Sequence, residues 1–300
     1  MAKKNYCGFI ALLGAPNAGK STLLNALTGS KLSIVSPKPQ TTRARVVGIC
    51  MEGEAQLVFL DLPGVFAPRR KLDRAMVDAA WEGAKSADVI LLLVDASRKT
   101  LAPETQYIIN WLKDQKRNAI LVLNKVDTVP KGRLLELTKE LTALSEFTEV
   151  MMVSAATGDG LKDLTKLVAS RVPEGEWHYP EDQLTDMPER LWAAEITREQ
   201  VFLQLSQELP YQVAVETESW EERSAGLAIV GQVIYVQRDT QRAIVLGKNG
   251  ARIKQIGMQA RAAMEAELER KVHLTLHVKV KENWSEDNAF LRQQGLLGDA

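Results

Sequence analysis

A mostly parallel α/β sheet, followed by a smaller α+β domain, is the fold class this sequence predicts. Three observations carry it. Five apolar runs, "CGFIALLG", "AQLVFLDLPG", "ADVILLLVDA", "NAILVLNKVD" and "EVMMVSA", alternate with helix-like stretches over the first half of the chain. The stretch "RVPEGEWHYPEDQLTDMPERL" then interrupts the pattern with three prolines and many acids. Beyond it the order changes to helix, two strands, a glycine turn, a helix and an alternating strand.

The elements follow in order. Continuous apolar strands separated by helices belong to a sheet covered on both faces, and such sheets bind ligands at the carboxyl ends of their strands. "GKSTLLNALTG" is a helix with Leu23, Leu24 and Leu27 on one face. The proline-rich stretch reads as a boundary. The expected division is therefore a first domain over 1–172, an acidic linker over 173–188, a second domain over 189–284 and a tail over 285–300. In the second domain "ERLWAAEITREQVFLQLSQE" is a helix, and "YQVAVETESW" and "GLAIVGQVIYVQR" are strands. A helix from about Ala251 to Arg270 and the strand "VHLTLHVKVK" follow. Ile253, Ile256, Ala260, Ala263, Met264 and Leu268 give that helix its buried stripe.

The bulk composition of the 300 residues, 45% hydrophobic and 25% charged, is that of a globular chain with enough apolar material for a sizeable core. "VILLLVDA" is too short to span a membrane. "MAKKNYCGFIALLG" leads into a glycine loop and reads as a first strand rather than a signal peptide. Cys7 and Cys50 have no metal-ligand spacing and frame no disulfide network, so a reducing, cytoplasmic compartment is expected. Net charge is zero, yet unevenly spread. Val172 to Arg223 holds 13 acids and 3 Lys/Arg, whereas Arg238 to Lys281 holds 10 Lys/Arg and 4 acids. The second segment offers a basic face to an anionic partner; the alternative is a pair of solvated, self-neutralising faces.

Gly14-Ala15-Pro16-Asn17-Ala18-Gly19-Lys20-Ser21 fits the phosphate loop G-x-x-x-x-G-K-[ST] and lies between strand and helix, the context that motif requires. Backbone amides over Asn17 to Thr22 would face a polyphosphate at a helix N-terminus. Lys20 would reach the β- and γ-phosphates and Ser21 would ligate Mg²⁺. Asp61-Leu62-Pro63-Gly64 ends a strand; its aspartate suits the Mg²⁺ shell and the Gly64 amide suits the γ-phosphate. Asn124-Lys125-Val126-Asp127 ends the strand "AILVL". Asp127 can accept from the N1–H and 2-amino group of guanine, which adenine lacks. The amides of Ser154-Ala155-Ala156 can bind the guanine O6.

In this order and at these strand ends, the motifs resemble the translation-factor-related P-loop GTPases. The resemblance implies GTP and GDP as ligands and a Mg²⁺ ion held by Ser21, Asp61 and a threonine of a first switch segment, Pro39-Gln40-Thr41-Thr42-Arg43. Thr42 is favoured over Thr41. Lys20, Thr42 and Gly64 would then carry catalysis. Where many of these GTPases have a water-orienting glutamine, this chain has Val65, which cannot hydrogen-bond water. Either intrinsic hydrolysis is slow or another group positions the water; in relatives with the loop asparagine a potassium ion can sit beside the phosphates and supply positive charge, and Asn17 either takes that role here or is a structural loop residue.

"VLGKNGARI" has two glycines but no Lys-[Ser/Thr] pair after the second, so it is a poor nucleotide loop. Gly247-Lys248-Asn249-Gly250 is either an ordinary helix-start turn or the G-x-x-G turn of a KH module, which grips the backbone of single-stranded RNA. Lys248, Arg252, Lys254 and Arg261 are available for phosphates. His273 and His277 lack a third metal ligand. Trp192, Trp220 and Trp284 are expected to pack rather than stack on bases. The element order is that of the type II KH arrangement.

In length, order and motifs the whole chain resembles the bacterial Era-type GTPases. That resemblance implies a GTP-hydrolysing switch that binds small-subunit ribosomal RNA near its 3′ end and assists maturation of that subunit. It further implies a monomer that can associate peripherally with the inner membrane. The competing readings are a GTPase acting on another RNA or at the membrane, and an RNA-binding module whose GTP is structural. The acidic linker beside a basic face suggests that nucleotide state biases RNA binding.

Overall fold

A computed structural model describes residues 4–68, 70–206, 209–223 and 226–293, and it contains two compact units. The first comprises the chain to Ser33 together with Thr42–Asp186; the second comprises Ile34–Thr41 and the chain from Met187 onward.

The first unit is built on β1 (Tyr6–Gly14), α1 (Lys20–Thr28), β2 (Val46–Glu52), β3 (Ala55–Asp61), α2 (Lys71–Ser86), β4 (Val89–Asp95), α3 (Pro103–Asp114), β5 (Ile120–Asn124), α4 (Lys131–Leu144), β6 (Glu149–Met152) and α5 (Leu161–Ala169). Its sheet has the order β2-β3-β1-β4-β5-β6. All neighbours are parallel except β2, which runs antiparallel to β3. Ile10, Leu12, Leu13, Leu57, Val58, Phe59, Leu91, Leu92, Leu93, Leu121 and Val122 are buried, as strands covered on both faces must be. The parallel run brings Gly14, Asp61, Asp95 and Asn124 to the carboxyl ends of adjacent strands.

β2 is the element the apolar pattern did not disclose. Its sequence "VVGICME" is short and broken by Gly48. A Cβ on Gly48 would lie 2.5 Å from Leu24 Cδ1, so the glycine lets α1 close against the strand. The stretch expected as a linker is drawn onto the first unit as far as Asp186. Ile49 N donates to Leu184 O at 2.8 Å, and Thr185 Oγ1 donates to Val47 O at 2.6 Å. The buried Gln56 amide binds the backbone at His178 and Tyr179, and Trp177 Nε1 donates to Glu54 O.

The second unit contains α6 (Glu189–Gln204), β7 (Ala214–Arg223), β8 (Leu227–Val236), α7 (Asp239–Leu246), α8 (Ala251–Leu268), β9 (Lys271–Val280) and α9 (Asn288–Gln293). β8 is central, antiparallel to β7 and parallel to β9. α6 and α8 cover one face of this sheet, where Ala193, Ile196, Val201, Val230, Ile234, Ile256, Ala260, Met264 and Val272 form the core. Ile256, Ala260 and Met264 recur at one-turn intervals, which makes α8 a core helix; Ile253, Ala263 and Leu268 flank them half-buried. Truncating such a side chain to alanine costs ~2–5 kcal/mol. Inside this core Thr197 Oγ1 donates to Gln232 Oε1 at 2.6 Å, and Gln232 Nε2 donates to Thr217 Oγ1 at 3.1 Å. That chain of bonds satisfies a fully buried amide and pins β7 beside its irregularity between Thr217 and Ser219.

Trp192 and Trp284 are buried and Trp220 packs against the same core. Trp284 Nε1 donates to Gln212 O at 3.1 Å. The residues after it also pack: Phe290 and Leu291 are buried in α9. Of the expected tail, residues 294–300 lie outside the described part of the chain.

Candidate functional site

The phosphate loop leaves β1 at Gly14 and enters α1 through Gly19, which has φ 95° and caps the helix in the left-handed region. A Cβ there would collide with the Asn124 amide, so glycine is required twice over at this position. Asn17 also has positive φ, 64°. Lys20 is almost wholly buried, and its ammonium donates to the Gly14 and Ala15 carbonyls at 3.2 and 3.3 Å. Burial pulls its pKa down to about 8, against the pull of nearby Asp61 in the opposite direction.

Three hydroxyl-bearing residues surround the Asp61 carboxylate at the end of β3. Asp61 Oδ2 accepts from Ser21 Oγ at 2.7 Å and from Thr42 Oγ1 at 3.2 Å; those two hydroxyls are 2.9 Å apart. Ser33 stands close enough to favour the ionised carboxyl, although its hydroxyl makes no hydrogen bond of normal geometry. Burial outweighs these groups and pushes the Asp61 pKa up. Asp61 Oδ1 is buried with no hydrogen-bond partner. A buried carboxylate oxygen left over beside two converging hydroxyls is the donor set a hard divalent cation requires. Of the two switch threonines, Thr42 reaches this cluster. Thr41 belongs to the second unit, where its carbonyl accepts from Arg198 at 2.7 Å.

Gly64 follows at the loop after β3. A Cβ on it would come within 3.1 Å of Pro16, so the glycine lets this backbone lie close to the phosphate loop without a shift. Val65 N donates to Gly14 O at 3.4 Å, and the Val65 side chain is fully buried.

The segments expected to read a base meet the loop from the other side. Asn124, nearly fully buried, donates from Nδ2 to Ala18 O at 2.9 Å and accepts at Oδ1 from Ala155 N at 3.0 Å. One side chain thereby joins the phosphate loop, the end of β5 and the Ser154-Ala155-Ala156 segment. Ser154 is buried, and its Oγ accepts from Thr157 N at 3.2 Å, which shapes the turn. Asp127 is exposed, its carboxylate free of burial. Lys125 adopts φ 65° and donates to Asp95 Oδ2 at 2.6 Å. Burial alone would raise the Asp95 pKa; hydrogen bonds from Lys125 and Ser97 overcome it and hold the carboxyl low.

In the second unit, α7 and α8 are joined through Gly247-Lys248-Asn249-Gly250. Gly247 has φ 71° and ψ 175°, a conformation open essentially to glycine alone, and a Cβ there would lie 2.7 Å from that of Arg252. Gly250 has φ 74° with open space around it. Arg252 NH1 donates back to Ile244 O at 2.9 Å, closing the turn. Beside it a cleft of about 280 Å³ runs between α8 and β9, lined by Ile253, Lys254, Gly257, Met258, Arg261 and Leu276. A Cβ on Gly257 would lie 3.3 Å from Leu276 Cδ1, so a side chain there would need the leucine to shift slightly. His273 and His277 are exposed on β9, and no group of three or more His, Cys, Asp or Glu side chains placed to hold a metal ion occurs among the described residues.

The comparisons fit both halves. Residues 9–125 match the family described as 50S ribosome-binding GTPase, and residues 208–285 match the KH domain. The chain is 53% identical over 289 residues to GTPase Era of Sinorhizobium medicae, covering 96% of this chain and 93% of that protein. The chain belongs to the Era family of GTPases. Era of Brucella suis is 51% identical over 295 residues, covering 98% of this chain and 94% of that one. Aquifex aeolicus Era bound to GDP·AlF4⁻ superposes with a TM-score of 0.92 at 38% identity over 98% of this chain and 100% of that one. An Era crystallised with MgGDPNP and nucleotides 1506–1542 of 16S ribosomal RNA gives the same values. Like other Era proteins, the chain is thus a GTPase with a P-loop domain followed by a KH domain.

Sequence reasoning missed Asp95, Ser33 and the apolar lining of the cleft. Asp95 ends a strand as Asp61 and Asn124 do, and that position was its available signal. Ser33 had none, because its placement depends on Asn25 of α1, which binds both its N–H and its C=O.

Proposed function

We propose that this protein is a GTP-driven switch that binds small-subunit ribosomal RNA near its 3′ end and assists assembly of that subunit in the cytoplasm. The observation that carries it is the pairing, in one chain, of the Lys20–Ser21–Thr42–Asp61 cluster with a glycine turn beside a basic, apolar-lined cleft. The Era crystallised with a 16S fragment and a GTP analogue supports it.

Lys20 exchanges the carbonyls of Gly14 and Ala15 for phosphate oxygens of GTP, and the amides from Asn17 to Thr22 complete the cradle. Ser21, Thr42 and Asp61 hold Mg²⁺, which supplies charge for the phosphates. Gly64 offers its amide to the γ-phosphate. Thr42 and Gly64 lie on the segments that report the presence of that group. Asp127 reads the guanine edge, while Ser154, Ala155 and Ala156 close around the base. Val65 orients no water; Asn17 would hold a potassium ion, which would supply added positive charge to the phosphates. In the KH unit, Lys248, Asn249, Arg252 and Lys254 meet RNA phosphates around Gly247 and Gly250, and the cleft between α8 and β9 takes unstacked bases. The protein acts as a monomer. Among the described residues no helix is long and apolar enough to cross a membrane; the association with the inner membrane that the family resemblance implies is proposed as a peripheral one.

Crosslinking and sequencing of RNA bound in cells tests the reading. Enrichment of the 3′ region of small-subunit RNA is expected. Enrichment of an unrelated RNA overturns the assigned partner, and normal subunit assembly with Lys20→Ala overturns the switch.

A further inference from the structure

Asp95 lies at the carboxyl end of β4, directly across from Asn124 in the register with β5. Its side chain is only 8% exposed, and its two oxygens have separate duties. Oδ1 accepts from Ser97 N at 3.0 Å and from Ser97 Oγ at 2.5 Å, which shapes the turn after the strand. Oδ2 faces two cations: Lys125 Nζ at 2.6 Å and Arg98 Nε at 3.9 Å. Arg98 in turn donates from NH2 to the Pro16 carbonyl at 3.1 Å, within the phosphate loop. One buried carboxylate therefore ties the lysine of the base-recognition motif to the loop that cradles phosphate.

We infer that Asp95 is a positioning residue for guanine nucleotides, acting through Lys125 on the base side and through Arg98 on the phosphate-loop side. A turn needs only Oδ1; the second oxygen, with two cations converging on it, is what a purely local role leaves unexplained. Without it the Lys125 side chain, itself 37% exposed, loses the anchor that holds it at the site. Arg98 loses the anion that orients its guanidinium toward Pro16. Neither residue transfers a proton or touches the reacting phosphorus, so the effect falls on nucleotide affinity and not on the chemical step. The inference rests on the assignment of Lys125 and the phosphate loop to the nucleotide site.

The test uses the full chain with Asp95→Asn, Arg98→Ala and Lys125→Met. Asp95→Asn keeps the Ser97 bonds but turns an amide toward the two cations. N-methylanthraniloyl-GDP should dissociate about tenfold faster, the loss of one charge-assisted hydrogen bond. KM for GTP should rise by a similar factor with kcat within about twofold. Asp95→Asn added to Lys125→Met should give little further loss on the base side, measured by guanosine competition, because the pair acts as a unit. Arg98→Ala, at an exposed position, should speed GDP dissociation and leave guanosine competition unchanged. GDP dissociation at the wild-type rate in Asp95→Asn overturns the inference, as does full additivity with Lys125→Met. Should Asp95→Asn fail to fold by circular dichroism, Arg98→Ala decides: an unchanged GDP rate overturns it. Failure of the wild-type protein to bind the GDP probe would instead overturn the nucleotide site itself.

Discussion

Asn124 Nδ2 donates to the Ala18 carbonyl at 2.9 Å while its Oδ1 accepts from the Ala155 amide at 3.0 Å. A single carboxamide therefore satisfies two buried backbone groups from loops far apart in sequence. Replacing it with alanine strands both, at a cost of ~1–3 kcal/mol for each unsatisfied group. Asn124→Ala should lower the melting temperature of the nucleotide-free protein and weaken GDP binding together. Calorimetry and nucleotide titration check this; an unchanged melting temperature would show that water replaces the amide.

Lys20 sets a pH dependence. Its folded pKa is depressed to about 8, against ~10.4 for the ordinary side chain. Between those values the unfolded chain holds a proton that the nucleotide-free native state lacks, so native stability rises with pH across that interval. The polyphosphate favours the ammonium, so GDP binding takes up a proton there. Affinity should fall by up to about tenfold per pH unit above pH 8. Lys20→Arg, which keeps its charge, should lack the slope. A wild-type affinity independent of pH from 7.5 to 9 would contradict the assignment.

Because Val65 is buried and apolar, transition-state charge must be met otherwise. Turnover should be about 10²-fold faster in potassium than in sodium buffer, the lower end of the scale of one removed oxyanion-stabilising contact. Asn17→Ala should erase the difference. Equal rates in the two salts would exclude the ion.

The glycine turn of the second unit makes a separable prediction. Gly247→Asp with Gly250→Asp places side chains where one position has no room and the other would meet phosphate. RNA binding should be abolished with GDP affinity unchanged. Lys248→Ala with Lys254→Ala tests the same surface without touching the backbone, and should reduce the salt dependence of RNA binding by about one unit of slope per lysine.

Most residues of the proposed nucleotide site were legible in the sequence because phosphate chemistry constrains the backbone locally. Gly19, Lys20 and Ser21 are contiguous, and each remaining motif sits at the end of an apolar strand. What stayed hidden depends on side chains that meet across strands. The Asp95–Lys125 pair joins residues 30 apart, and Ser33 is placed by Asn25 from a neighbouring helix. β2 stayed hidden for a different reason. It pairs with β3 on one edge and is covered by α1 closing over Gly48, neither of which a period of two reveals. The KH reading rests on the glycine turn, the basic residues and the element order, whereas the cleft itself is the junction of α8 with β9.

The bonds from Ile49 and Val47 to Leu184 and Thr185 have a practical meaning. β2 is the rim of its sheet, and an open rim invites pairing with the next molecule. Here the chain supplies its own cover from the stretch between the two units. A GTPase fragment cut at Val172 would bare that rim and the Gln56 amide, and should self-associate; one cut after Asp186 should remain dispersed. The acidic segment is thus a guard against aggregation as much as a connector.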